Sequence, residues 1–197
     1  MNSYDSGPRT RGPFLFMYSG MMKKMLGKEF FNRKAPVVAR ELLGKYLVRK
    51  VGGKTIALMI SETEAYDGFK VKASHAHRGQ TPRNSVMFGH SAHIYVYFTY
   101  GMHWMLNLIC GSAGYPSGVL IRGAGDISGP ARLTKALSID KRLNALPLSK
   151  KSGLWVEDRG VLIPRKEIKT TPRIGIRYAE EWVEKPWRFV IETTPLK

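Results

Sequence analysis

The sequence predicts an α+β fold, a single domain around a curved, mostly antiparallel β-sheet. Three observations predict it. Short apolar runs with period-2 alternation recur along most of the chain. Turn pairs such as Gly52-Gly53 and Tyr100-Gly101 separate neighbouring runs, as hairpins require. Only two stretches carry helical spacing, which is too few for an alternating β–α architecture. With 197 residues, one domain is expected, assigned to residues 28–197. Residues 1–27 mix Gly, Pro, Ser, Arg and Met without periodicity and are expected to form a disordered tail.

The elements follow in order. From Pro36, Val37, Val38, Leu42 and Leu43 lie at helical spacing, and Gly44 marks a stop. Residues 46–49 and 55–61 read as strands joined by Gly52-Gly53. Residues 67–92, rich in Gly, Ser, His, Asn and Pro, read as a long functional loop. Residues 93–99 and 104–110 form a hairpin with Tyr100 near its tip, and 119–122 is a further strand. Residues 130–139 are helical by the spacing of Leu133, Ala136 and Leu137. Short strands are expected at 154–157, 173–176 and 188–192.

The chain carries 32 Lys and Arg against 15 Asp and Glu, a net charge of +17. A surplus of that size attracts polyanions, either nucleic acid or an anionic membrane. No acid occurs between Asp67 and Asp126. That interval holds Lys70, Lys72, Arg78, Arg83, Arg122, all five histidines and the run Ile94-Tyr95-Val96-Tyr97-Phe98-Thr99-Tyr100. Cations supply phosphate affinity and aromatic rings supply stacking platforms for bases. Alternation puts Tyr95 and Tyr97 on one sheet face and Val96 and Phe98 on the other, so one face can be core and the other a ligand surface. The single cysteine, Cys110, excludes an internal disulfide framework and fits a reducing compartment. No run approaches the ~20 apolar residues that span a bilayer. The expectation is an intracellular protein, in the cytoplasm or nucleoid of a bacterium or the nucleus of a eukaryote.

Glu62 and Glu64 end an apolar strand just before the loop, and being two apart they share a face. One can be buried with a raised pKa while the other is paired; two solvated acids are the alternative. His75, His77, His90, His93 and Cys110 raise a zinc hypothesis, against which stand the absence of a nearby carboxylate and of a close cysteine pair.

The motifs then combine. Glu62-Thr63-Glu64-Ala65-Tyr66, Ala73-Ser74-His75, Gln80-Thr81-Pro82-Arg83-Asn84, Met87-Phe88, Tyr95-Val96-Tyr97, Tyr100-Gly101-Met102, Asn107, Leu120-Ile121-Arg122 and Ser128-Gly129-Pro130 follow one another. In order and spacing they resemble the alkyladenine (3-methyladenine) DNA glycosylase family, from about residue 40 to 189. The resemblance implies a monofunctional repair glycosylase, with no metal, no cofactor and no covalent lyase step. Such an enzyme flips alkylated or deaminated purines from duplex DNA and hydrolyses the N-glycosidic bond. It also implies a monomer that acts on double-stranded DNA containing damaged purines and does not engage membranes.

By the same resemblance, Glu64 activates the water, which Arg122 and the main-chain carbonyl of Ile174 help to hold. Tyr66, His75 and Tyr97 surround the flipped base, and Asn107 excludes the 2-amino group of guanine. Tyr100 is the wedge on a protruding, DNA-intercalating hairpin. Thr81, Arg83, Met102, His103, Arg132 and Lys141 fall where the family touches the DNA backbone. Two departures stand out. His103 occupies a position that is tyrosine in a relative, and few residues separate Arg122 from Ser128, where relatives carry a helical insertion. Two other functions fit parts of the sequence. A non-catalytic binder of damaged or single-stranded DNA would share the basic, aromatic surface without needing Glu64. A metal-dependent hydrolase would use the histidines and be sensitive to EDTA.

Overall fold

The computed structural model describes residues 23–69, 74, 76–176 and 180–192. Among them, ten strands form one antiparallel sheet. These are β1 (Lys24–Met25), β2 (Tyr46–Val51), β3 (Lys54–Asp67), β4 (Ile94–Thr99), β5 (His103–Ile109), β6 (Ser117–Ala124), β7 (Ile127–Ser128), β8 (Leu154–Asp158), β9 (Ile168–Thr171) and β10 (Arg188–Ile191). The helices are α1 (Lys28–Phe31), α2 (Ala35–Glu41) and α3 (Pro130–Ala136). The main path runs β1-β8-β2-β3-β6-β5-β4, with β10 joining β3 to β9 and β7 on β6. The α+β class with its large antiparallel sheet and few helices is as the sequence predicts.

β3 is the axis of the fold. Its first half pairs with β2 across the expected Gly52-Gly53 turn. Its second half is flanked by β6 on one edge and β10 on the other. This half, central in the sheet, carries both glutamates of the Glu62–Tyr66 motif. α2 lies on one sheet face, where Thr63 Oγ1 donates to the Ala39 carbonyl at 2.8 Å. Phe31, Val38, Leu42, Leu47, Ile60, Ile121 and Phe189 are buried together there as the main core. Truncating a buried ring such as Phe31 in a core of this kind costs about 3–5 kcal/mol.

Several elements differ from expectation. Of the tail expected at 1–27, residues 1–22 lie outside the described residues, while Lys24–Met25 pair with Glu157 and Asp158 and Leu26 is buried. α3 stops at Ala136 rather than reaching 139, because Ser138 adopts a left-handed φ of 49°. The loop at 67–92 contains a 3-10 turn at Ser85–Phe88.

The strand expected at 173–176 is absent. Gly175 has φ +80° there, outside the β region, and the Ile174 amide donates to a side chain rather than to a ladder. The strand lies just upstream, where the β-branched Ile168, Thr170 and Thr171 pair with β10.

Candidate active site

The alternation expected for β4 is observed. Tyr95 and Tyr97 share one face, with ring centroids 5.4 Å apart, while Val96 is buried in the core. The two tyrosines line a cleft of about 280 Å³, together with Tyr66 from β3, Asn107 from β5, Leu120 and Arg122 from β6, and 174–176. Met87, Thr99, Tyr100, Met105 and Pro130 complete its wall. Burial pushes the Tyr95 phenol up to about 12, so it stays neutral at any working pH. Sequence reasoning missed Tyr95, Met87, Met105 and Leu120 as cleft residues. The period-2 signal named Tyr95 as a partner of Tyr97, and β pairing supplies the rest: Asn107 sits opposite Tyr95 on one side and Leu120 on the other.

Asn107 is buried, and its side-chain Nδ2 has no hydrogen-bond partner among the described residues. An unpaired buried donor costs about 1–3 kcal/mol. A structural asparagine bonded to neighbouring backbone would not leave that donor free.

Glu64 lies behind the cleft wall and is fully buried. Three of the cleft-lining residues enclose its carboxylate. The Ile174 amide donates to Oε1 at 2.7 Å, and the Tyr66 hydroxyl donates to Oε2 at 2.9 Å. Arg122 Nη1 stands 3.5 Å from Oε1. Burial raises the pKa of Glu64 above the ordinary glutamate range, opposed by Arg122, the Ile174 amide, Tyr66 and Arg173. Tyr66 is itself raised well above its usual value, first by burial and then by Glu64. The two glutamates thus differ as one of the sequence alternatives has it. Glu64 is desolvated, while Glu62 is paired to Arg122 and Arg188 at 2.8 and 2.6 Å. Ile174 touches the carboxylate through its amide, a contact not foreseen from the sequence.

Arg173 is a further residue that sequence reasoning missed. It is buried, with Nη1 donating to the Ala65 carbonyl at 2.9 Å and Nη2 to that of Trp182 at 3.1 Å. Its guanidinium lies 4.9 Å from the Tyr66 ring centroid and 5.2 Å from that of Trp187. It thereby fastens the 173–176 segment over β3 and holds the Ile174 amide at Glu64. A lone arginine in a basic chain gave no signal of this.

β4 and β5 pair along their whole length, from Ile94 with Leu108 to Thr99 with His103. Tyr100 and Gly101 turn the chain with φ of 53° and 68°. Tyr100 is 79% exposed, and Met102 is 66% exposed. A non-glycine residue held in the left-handed region stores strain, a feature that clusters at functional sites. Met102, His103 and Arg132 share a groove with Trp104, Lys135 and Asp140, and Lys141 is the exposed residue that follows. Arg83 is exposed and donates to the Phe98 carbonyl at 2.7 Å, which ties the loop holding Thr81 to the hairpin. His75 lies outside the described residues. Cys110 is buried in the core, and among the described residues no three His, Cys, Asp or Glu side chains are grouped to hold a metal.

A cleft lined with tyrosine rings on a basic chain, backed by a desolvated carboxylate, fits an enzyme that acts on nucleic-acid bases. The sequence matches the methylpurine-DNA glycosylase (MPG) family over residues 29–128 and 125–195. Relatives named, provisionally, as 3-methyladenine DNA glycosylases occur in archaea and bacteria. That of Methanocella arvoryzae is 41% identical, covering 87% of this chain and 94% of its own. That of Desulfitobacterium hafniense is 40% identical, over 86% of this chain and 96% of its own. That of Streptomyces avermitilis is 39% identical, over 86% and 89%. The chain belongs to the methylpurine-DNA glycosylase family. It is a monofunctional DNA glycosylase, a hydrolase of base excision repair whose substrate is DNA. No helix among the described residues is long and apolar enough to cross a membrane.

Proposed function

We propose that the protein, acting as a monomer, flips alkylated or deaminated purines out of duplex DNA and hydrolyses their N-glycosidic bond with a water activated by Glu64. The lesions are of the 3-methyladenine, 7-methylguanine, hypoxanthine and ethenoadenine class, and the product is an abasic site. The observation that carries this reading is the buried carboxylate of Glu64 set directly behind a tyrosine-lined cleft.

A base within a duplex is out of reach, so extrusion costs a few kcal/mol. Tyr100, exposed at the turn between β4 and β5, fills the vacated stack and offsets that cost. Tyr66, Tyr97 and His75 close on the extruded base. Cationic 3-methyladenine is both a good leaving group and a good partner for electron-rich rings. A neutral lesion such as hypoxanthine gains its leaving ability from protonation at N7. As the bond from C1′ to the base breaks, its electron pair leaves with the purine and positive charge develops on the sugar. Ionised Glu64 stabilises that charge and takes a proton from the water that attacks C1′. Arg122 and the Ile174 carbonyl hold that water. Each Glu64 oxygen accepts one hydrogen bond within the protein, from the Tyr66 hydroxyl at Oε2 and the Ile174 amide at Oε1, and keeps a lone pair for the water.

Thr81, Arg83, Met102, His103, Arg132 and Lys141 contact the DNA backbone in this reading. Arg83 is tied to β4 and Arg132 shares a groove with Met102 and His103 of the hairpin, which supports a duplex seated across it. The direct test uses duplexes carrying hypoxanthine, ethenoadenine or 3-methyladenine, with alkali to cut at abasic sites. Cleavage at the lesion with EDTA present is expected. No abasic product from any of the three overturns the proposal.

A further inference from the structure

Beside Glu64, the pairing of β3 with β6 slips twice. Ile60 faces Ala124, Glu62 faces Gly123 and Thr63 faces Ile121, which leaves Ser61 over on one strand and Arg122 over on the other. Paired bulges of this kind re-aim a side chain without disturbing the ladder beyond them. The close approach needs Gly123, where a Cβ would come within 3.2 Å of both the Glu62 Cβ and the Ile127 carbonyl oxygen. The result is an ionic arrangement that the hydrolysis described above leaves unexplained. Glu62 Oε1 accepts from Arg122 Nε at 2.8 Å and from Arg188 Nε at 2.6 Å. Arg188 Nη1 is fixed in turn by Thr171 Oγ1 at 3.0 Å. Arg122 extends only Nη1 toward Glu64, at 3.5 Å.

We propose that Glu62 is a positioning residue for the reaction, holding Arg122 by Nε so that its guanidinium is shared between two carboxylates and meets Glu64 edge-on. This rests on the reading of Glu64 as general base. A carboxylate that has a guanidinium to itself is held ionised but is a weak base. Two cations act on the Glu64 carboxylate, Arg122 from β6 and Arg173 from the segment after β9, while Arg188, opposite Glu64 in the β3–β10 register, has its guanidinium on Glu62. Tyr66 faces it from its own strand. Glu62 supplies the negative charge that draws Arg122 and Arg188 away from it, so Glu64 keeps the strength to take a proton.

The test is the pH dependence of single-turnover excision on a hypoxanthine duplex at saturating enzyme. Glu62→Gln is expected to move the acid limb down by about one pH unit and to lower the plateau several-fold. Glu62→Asp retains the charge and is expected to keep the limb in place. Arg188→Gln removes a cation held by Glu62 but not bonded to Glu64, so it is expected to move the limb up. That variant keeps the proposal testable should Glu62→Gln fail to fold. Opposite displacements by the two variants support the assignment, since a purely structural role lowers the melting temperature without moving the limb. An unmoved limb in Glu62→Gln, or a downward shift in Arg188→Gln, overturns it. Glu64→Gln separates the two levels: if that variant still excises, the general-base reading fails. An inactive Glu64→Gln beside an unmoved limb in Glu62→Gln removes only the role given to Glu62.

Discussion

The backbone amide of Ile174 donates a 2.7 Å hydrogen bond to Oε1 of Glu64, a residue 110 positions earlier in the chain. That bond diverts 173–176 from the sheet and brings a donor to a buried carboxylate. The carboxylate is left between opposing influences: burial raises its pKa, while two arginines, this amide and a tyrosine hydroxyl lower it, and burial prevails.

The balance has a consequence for stability. Well below the ordinary glutamate range, Glu64 is protonated whether the chain is folded or not. As pH rises, the unfolded side chain ionises first and the folded one keeps its proton longer, so folding loses stability through that window. Glu64→Gln does not titrate. Its melting temperature is expected to approach the wild type as pH falls below about 4 and to exceed it at about pH 7–8. Melting curves that differ by a constant amount across this range would show that burial does not destabilise the carboxylate.

Tyr100 carries a second test, because its φ of 53° favours glycine. The strain costs about 1 kcal/mol, and the exposed ring has few contacts to lose. Tyr100→Gly is therefore expected to melt no lower than wild type. It should nevertheless bind a lesion duplex about 5- to 150-fold more weakly, since one stacked ring contributes about 1–3 kcal/mol. A lower melting temperature with unchanged affinity would make Tyr100 a structural turn residue.

Asn107 lines the cleft, and its Nδ2 is buried without a hydrogen-bond partner among the described residues. In the proposed reading its side chain refuses the guanine 2-amino group by close contact, which a ring-lined pocket cannot otherwise do. Asn107→Ser is expected to gain excision of guanine lesions while keeping adenine lesions, read side by side on matched duplexes. An equal loss on both, with a reduced melting temperature, would leave Asn107 as scaffold.

The net charge of +17 predicts affinity for undamaged duplex that falls steeply with salt. Each phosphate contacted adds about −0.9 to the slope of log affinity against log salt. Arg132→Ala and Lys141→Ala are each expected to flatten that slope by about one unit. Slopes that ignore both substitutions would place the duplex elsewhere.

The class of fold was legible because β3, β4 and β5 announce themselves through alternation and tight turns. The cleft was legible in part: Tyr97 and Asn107 sit on those strands, and period 2 fixes their face. The short strands β1 and β7 were not, since two residues carry no period. The region around 173–176 misled because Arg173-Ile174-Gly175-Ile176 alternates like a strand. What decides it is long-range: the Glu64 carboxylate takes the Ile174 amide and the Ala65 carbonyl takes the Arg173 guanidinium. The division of labour between Glu62 and Glu64 was likewise hidden, because it depends on a paired bulge between strands some 60 residues apart in the chain.

The central claim is that Glu64 is the base. Single-turnover excision of hypoxanthine by Glu64→Gln, with duplex binding measured on the same preparation, tests it most directly. The account predicts wild-type binding and a rate lower by about 10²–10⁴. Excision at a near wild-type rate by a variant that binds normally would contradict it.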